Sequence, residues 1–261
     1  MRILFLGDIV GKKGREVIRD SLALLKDKYR PDLLIANGEN SAHGKGITSK
    51  IYNELISYGV DLITMGNHTY SKKEIKDTIL DHSNLIVPLN IKERVGNVYK
   101  LFNINSKKVC VVNLLGEALM GDFMTSPFEA YKSFVDEVKA DIYIVDLHAE
   151  STAEKRLFAE YFKDNVNVVV GTHTHIQTAD ECILYNKIAF ISDVGMCGPY
   201  DSIIGREINE SIMKNIYHEK TRYEISDADP ILCGVVIDIN DDNNKAYNIE
   251  RIQIRPKENQ H

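Results

Sequence analysis

Two stretches decide the fold class: Ile3-Leu4-Phe5-Leu6-Gly7-Asp8-Ile9-Val10-Gly11 and Leu33-Leu34-Ile35-Ala36-Asn37-Gly38-Glu39-Asn40. Each is a short apolar run that stops at a glycine and then delivers a polar residue. Between them, about Arg15 to Lys28 carries apolar residues at helical spacing. The pattern repeats, with a helix near Ser49 to Tyr58, a strand at Leu62 to Met65 and a helix near Lys72 to Leu80. Such β-α-β repetition predicts a largely parallel sheet covered by helices.

Farther along, Val98 to Leu101 and Val109 to Leu114 have no helix between them and read as a hairpin joined by Asn105-Ser106-Lys107. Helices then alternate with strands at Ile142 to Leu147 and Val166 to Val170, before two close strands, Cys182 to Tyr185 and Ile188 to Ile191. A last antiparallel pair, Leu232 to Ile239 and Tyr247 to Ile254, flanks the turn-rich Asn240-Asp241-Asp242-Asn243-Asn244. This order fits an α/β layered sandwich, α-β-β-α, of two mixed sheets flanked by helices. No repeat or linker divides the chain, so residues 1–261 are expected to form one domain. The polar tail, Pro256 to His261, is expected to fray.

At 261 residues and 44% hydrophobic, the chain is long enough for a full core. Its net charge of −6, with no long Lys/Arg run, carries no footprint for duplex nucleic acid. No apolar run reaches the roughly 18 residues of a membrane span, and Asp8 interrupts the N-terminal apolar stretch, which therefore reads as a strand and not as a signal peptide. Cys110, Cys182, Cys197 and Cys233 are widely spaced and make neither a C-x-x-C pair nor a disulfide framework. The cytoplasm is the simplest compartment. Self-association is left open.

The polar residues are not scattered. Asp8 follows the first strand, Glu39-Asn40 the second, Asn67-His68 the third, His148 a middle strand, and His173-x-His175 the one after it. In open α/β sheets the carboxyl ends of the strands form one rim, and ligands bind there. Two carboxylates, two amides and several imidazoles make a mixed oxygen and nitrogen donor set, suited to Fe, Mn, Zn or Co. The set exceeds what one ion needs. Two ions about 3.5 to 4 Å apart would use it and would clamp an in-line phosphoryl displacement. They would also attract an anionic substrate to an acidic protein.

Gly66-Asn67-His68 together with Gly171-Thr172-His173-Thr174-His175 resembles the G-N-H and G-H-x-H motifs of calcineurin-like metallophosphoesterases. Gly7-Asp8-Ile9-Val10-Gly11, Asn37-Gly38-Glu39-Asn40 and Ser192-Asp193-Val194-Gly195-Met196 narrow the resemblance to the bacterial YmdB-like branch, over almost the whole chain. The resemblance implies the calcineurin-like fold, iron or manganese, and hydrolysis of a phosphodiester such as 2′,3′-cAMP by a hydroxide bridging two divalent or trivalent ions. It also implies that one ion takes Asp8, Glu39, Asn40 and His175, and the other Glu39, Asn67, His148 and His173, with Glu39 shared. His68 is then left to protonate the leaving oxygen. Two departures from the wider superfamily stand out: its D-x-H start is Asp8-Ile9-Val10 here, and its G-D-x-x-D is Gly38-Glu39-Asn40. A phosphomonoesterase or nucleotidase, or a non-catalytic nucleotide sensor, are the competing readings.

Other features have plainer readings. Gly7 to Gly14 is not G-x-G-x-x-G, and in Gly38 to Gly46 the Gly44-Lys45 pair falls one residue too late for a P-loop. His43 reads either as a substrate contact or as an exposed loop residue. His82 and His218 read as surface residues of helical segments. Asp193 to Asp201 is expected either to shape the pocket or to be an irregular connection, and Cys110 and Cys233 are expected in the core. The two histidines of His173-x-His175 would face one way by strand alternation if the backbone stays extended.

Overall fold

The computed structural model describes residues 1–256; residues 257–261, which hold most of the tail expected to fray, lie outside the described part. The chain begins with β1 (Arg2–Leu6), β2 (Asp8–Ile9), α1 (Gly11–Tyr29), β3 (Leu33–Asn37), α2 (Ser49–Tyr58), β4 (Leu62–Thr64), α3 (Lys73–Thr78) and β5 (Leu85–Ile86). There follow β6 (Tyr99–Ile104), β7 (Lys107–Leu115), α4 (Pro127–Glu137), β8 (Ile142–His148), α5 (Thr152–Tyr161), β9 (Val168–Thr172), β10 (Cys182–Leu184) and β11 (Ile188–Ile191). The last described elements are β12 (Met196–Pro199), α6 (Ile208–Asn215), β13 (Pro230–Ile239) and β14 (Ala246–Ile254).

Two mixed sheets result. The first runs β2-β12-β13-β1-β3-β4-β5, with β14 paired to β13; the second runs β10-β11-β9-β8-β7-β6. Strands β1, β3, β4 and β5 are parallel neighbours, as are β11, β9, β8 and β7, while β13 pairs antiparallel with β1 and β14. Parallel alignment matters for function, because it carries every carboxyl end of a sheet's centre to the same edge.

The layering follows from strand alternation. Ile3, Phe5, Leu33 and Ile35 meet Val109, Val111, Ile142, Ile144, Val168 and Val170 between the sheets. The alternate residues Leu4, Leu6, Leu34 and Ala36 instead pack on Ile18, Leu22 and Leu25 of α1 and Leu55 of α2. On the far side, Val112, Val145, Leu147 and Val169 meet Tyr131 and Phe134 of α4 and Phe158 of α5. Both faces of the central strands are therefore covered, which explains their nearly continuous apolar sequences. Each fully buried Val, Leu, Ile or Phe contributes about 1.5–3 kcal/mol. A charge at Ile35 or Val170 would break the middle layer.

Several boundaries differ from the sequence expectation. β2, β5 and β12 were not expected: β2 and β5 are two-residue strands with no period to read, and β12 contains a glycine and a proline. The β6–β7 hairpin turns at Asn105 and Ser106 alone, with φ of 50° and 64°, the left-handed pair that suits a two-residue turn; Lys107 already belongs to β7. His82 is not a surface residue. The residue is 7% exposed, and its ring stacks on Tyr52 at 4.1 Å and hydrogen-bonds the Ser49 hydroxyl at 2.9 Å. His218 is exposed but lies beyond the end of α6. Cys110 and Cys233 are buried as expected, and among the described residues the cysteines are unpaired.

Candidate active site

Strand ends deliver the polar residues to one rim. Asp8 opens β2, Glu39 and Asn40 sit in the turn after β3, Asn67 and His68 follow β4, His148 closes β8, and His173 and His175 follow β9. Locally, the Asn37 side chain accepts the Glu39 N–H at 3.0 Å and so shapes the turn that lifts Glu39 into the site. Asp8, Glu39 and His148 are at most 1% exposed. Gly66 leaves room for this crowding, because a Cβ there would stand 2.4 Å from His148 Nε2 and 2.7 Å from Glu39 Oε2.

The two loop histidines reach the site by a route different from strand alternation. His173 and His175 have φ of 108° and 67°, so the backbone leaves the extended region at both. Positive φ is uncommon for residues with a Cβ and costs on the order of 1–3 kcal/mol each. The turn is held from outside: the Asp8 carboxylate accepts the His173 N–H at 3.1 Å, and Asp193 Oδ2 accepts the Thr174 N–H at 3.0 Å. Asp193 is itself paired with Lys155 at 3.0 Å, both side chains fully buried.

Hydrogen-bond accounting fixes the state of the imidazoles. The Thr172 hydroxyl donates to Asp146 Oδ1 at 2.7 Å, so at the 2.8 Å contact with His148 Nδ1 the histidine must donate. In the neutral ring that leaves His148 Nε2 as a bare acceptor. His175 Nδ1 likewise donates to the Ile204 carbonyl at 2.8 Å, and His173 Nε2 lies 3.2 Å from Glu150. Burial pushes the pKa of His148, His173 and His175 down, which favours the neutral ring in each.

Their bare nitrogens converge. His148 Nε2 lies 3.1 Å from His173 Nδ1, 3.1 Å from Asn67 Oδ1 and 3.6 Å from Glu39 Oε1. His175 Nε2, by contrast, accepts from Asn40 Nδ2 at 3.0 Å and stands 3.9 Å from Asp8 Oδ1. Asp8 Oδ1 and Glu39 Oε2 are buried without any hydrogen-bond partner. Acceptors facing acceptors in a buried pocket are costly unless a cation sits among them. The carboxyls register the same deficit: burial pushes Glu39 up to about 8, and burial, with Asp193 next, pushes Asp8 well above its usual range.

Among the described residues, no group of three or more His, Cys, Asp and Glu side chains forms a ready cage for one ion. Asn40 and Asn67 border the cluster with side-chain amides, and the buried, unpartnered oxygens Asp8 Oδ1 and Glu39 Oε2 are acceptors of the kind a cation would satisfy. The residues therefore fit the expected metal ions.

Behind His148, Asp146 accepts from Asn37 at 3.0 Å and Thr64 at 2.5 Å as well as from Thr172, and burial pushes it up to about 6. Sequence reading passed over Asp146, although a carboxylate inside an apolar strand was the available signal. His68 sends its backbone N–H to Glu39 Oε1 at 2.8 Å, while its ring faces a cleft of about 270 Å³ and is pushed down to about 4 by burial and then by Lys45. The cleft is also lined by Lys45, Glu150, Ile204, Arg206 and Tyr223, which were not singled out as site residues. Neither His43, which is exposed, nor any residue from Asp193 to Asp201 lines it.

The family model described as "YmdB-like protein" matches residues 4–252. The chain belongs to the YmdB-like family. A Bacillus subtilis relative named 2′,3′-cyclic-nucleotide 2′-phosphodiesterase is 44% identical over 256 residues, 97% of both proteins. The crystal structure of a phosphatase from Mycoplasma pneumoniae superposes with a TM-score of 0.94 at 38% identity, covering 97% of this chain and 93% of that one. A Thermus thermophilus structure superposes at 0.91 with 30% identity, over 97% and 99%. Family membership places the chain among the calcineurin-like metallophosphoesterases, with the two-sheet sandwich as its fold. Its activity class is phosphoester hydrolysis. Among the described residues, no helix is long and apolar enough to cross a membrane.

Proposed function

We propose that this chain is a binuclear metal-dependent phosphodiesterase acting on a small cyclic nucleotide such as 2′,3′-cAMP. The observation that carries the reading is the buried convergence of unpartnered acceptors: Asp8 Oδ1, Glu39 Oε2, and the bare nitrogens of His148 and His173. Asp8, Glu39, Asn40 and His175 would hold one transition-metal ion, and Glu39, Asn67, His148 and His173 the other. The family resemblance favours iron or manganese. When bound, the ions supply Lewis-acid activation of water and charge neutralisation at the phosphoryl oxygens.

The chain's own residues do the rest. Thr172 and Asp146 fix the His148 ring and its tautomer, as Ile204 and Glu150 fix His175 and His173. His68 lines the cleft beside the acceptor cluster; burial favours its neutral ring in the free protein, and the charge of a bound phosphoryl group would raise its pKa so that the ring could protonate the leaving oxygen. The cyclic-diester preference is favoured by the 44% identical relative, whose name states that substrate.

A turnover panel tests the proposal. With manganese or iron supplied, 2′,3′-cAMP should be hydrolysed well ahead of adenosine 2′- and 3′-monophosphates. Faster release of phosphate from the monoesters would make the chain a phosphomonoesterase, and tight nucleotide binding without turnover would make it a sensor.

A further inference from the structure

The cleft carries a cation that the proposed chemistry does not use. Lys45 and Arg206 both line it, but their charges are differently engaged. Arg206 is committed to Glu210 through contacts of 2.6–3.2 Å, and Glu210 is secured further by the Thr221 hydroxyl at 2.6 Å. Lys45 is exposed, and among the described residues its ammonium makes no ion pair; it lies over the Tyr223 ring, 5.2 Å from the centroid. The same ring carries the Arg206 guanidinium at 4.9 Å.

Tyr223 links Lys45 to the turn that carries it. The ring packs on Gly44, whose φ is 77° and where a Cβ would fall 2.7 to 2.8 Å from the Tyr223 hydroxyl and ring edge. The turn before it sets where the Lys45 backbone stands, and the Tyr223 ring lies within cation–π reach of its ammonium. Gly46, on its other side, packs on the His68 carbonyl, 3.0 Å from where a Cβ would stand. Lys45 therefore belongs to the first-sheet wall of the cleft, beside His68, whereas Glu150 supplies the second-sheet wall and is already paired with His173.

We infer that Lys45 forms an anion subsite next to the metal pocket and takes a second phosphate of the substrate, the one on the 5′ carbon of a nucleoside whose 2′,3′-cyclic phosphate occupies the pocket. The inference rests on the function proposed above. A 2′,3′-cyclic phosphate with a 5′-phosphate is the chemistry of a cleaved RNA 3′ end, so the favoured substrate class is a short RNA or a 5′-phosphorylated nucleotide ending in the cyclic phosphate. An ammonium meeting a phosphate is a charge-assisted contact, and one such contact is worth about tenfold in affinity.

Binding of two product-like probes tests it without turnover. Adenosine 3′-monophosphate and adenosine 3′,5′-bisphosphate, which carry the phosphate where cleavage of the 2′ ester would leave it, are titrated into the manganese-loaded full chain by calorimetry, for wild type and Lys45→Gln. The expected result is about tenfold tighter binding of the bisphosphate by wild type, with the ratio falling to near one in Lys45→Gln. Equal affinities in wild type, or a ratio that Lys45→Gln leaves intact, would overturn the subsite alone. Failure of both probes to bind would overturn it together with the nucleotide reading. As a second variant, Tyr223→Leu should lower the ratio in part, because the cation–π contact goes while the charge remains.

Discussion

Glu39→Gln should separate metal binding from stability. In the metal-free protein Glu39 is fully desolvated and its carboxyl rises from 4.5 to about 8. The folded state then holds the proton more tightly than the unfolded state, so stability falls as pH rises from 4.5 through 8. At pH 8.5 that gap corresponds to roughly 5 kcal/mol against the fold. Glutamine removes the ionisation, and its amide oxygen can still accept the His68 N–H that Glu39 accepts at 2.8 Å. Its NH₂ inherits the unpartnered position of Oε2, which costs about 1–3 kcal/mol. The net is a stabilisation of about 2–4 kcal/mol at pH 8.5, or roughly 5 to 10 °C in Tm, shrinking toward zero at pH 6. Thermal unfolding in chelator at both pH values, beside metal content by elemental analysis, reads both halves. A metal-free Glu39→Gln protein less stable than wild type at pH 8.5, or one that keeps two ions per chain, would refute the reasoning.

His68→Ala should keep normal metal content and lose about 10² to 10⁴ in turnover on a nucleoside diester, with a much smaller loss on a nitrophenyl diester, whose leaving group needs no proton; equal losses on both would argue against the acid role. Lys155→Met leaves Asp193 buried without its partner and should cost about 3–5 kcal/mol, with the double variant Lys155→Met/Asp193→Asn recovering part of it; denaturant titration decides. Burial holds the pKa of His82 below its ordinary 6.5, so the unfolded chain binds the proton more tightly and His82 withdraws stability as pH falls below 6.5. His82→Asn should flatten that part of the stability profile, and an unchanged pH slope would contradict it.

The legible part of the fold was the part with period and length. β1, β3, β8, β9 and β13 are apolar runs bounded by turn residues, and Asp8, Glu39, Asn67, His148 and His173 stand out because each interrupts or ends such a run. β12 was not legible, since Met196-Cys197-Gly198-Pro199 contains a glycine and a proline and gains its strand character from β2 and β13 on either side. The route taken by His173 and His175 was also hidden, because left-handed backbone at both depends on Asp8 and Asp193, distant in sequence. Lys45, Arg206 and Tyr223 meet only through tertiary packing and share no spacing that a pattern could reveal.

The central claim is that the buried acceptors hold two transition-metal ions that serve phosphodiester hydrolysis. Elemental analysis of protein purified without added metal, with 2′,3′-cAMP turnover measured on the same sample, tests it most directly. The expected result is iron or manganese approaching two ions per chain, and activity that disappears with chelation and returns when either metal is supplied. Protein without transition metal that stays inactive after manganese and iron are supplied would contradict it.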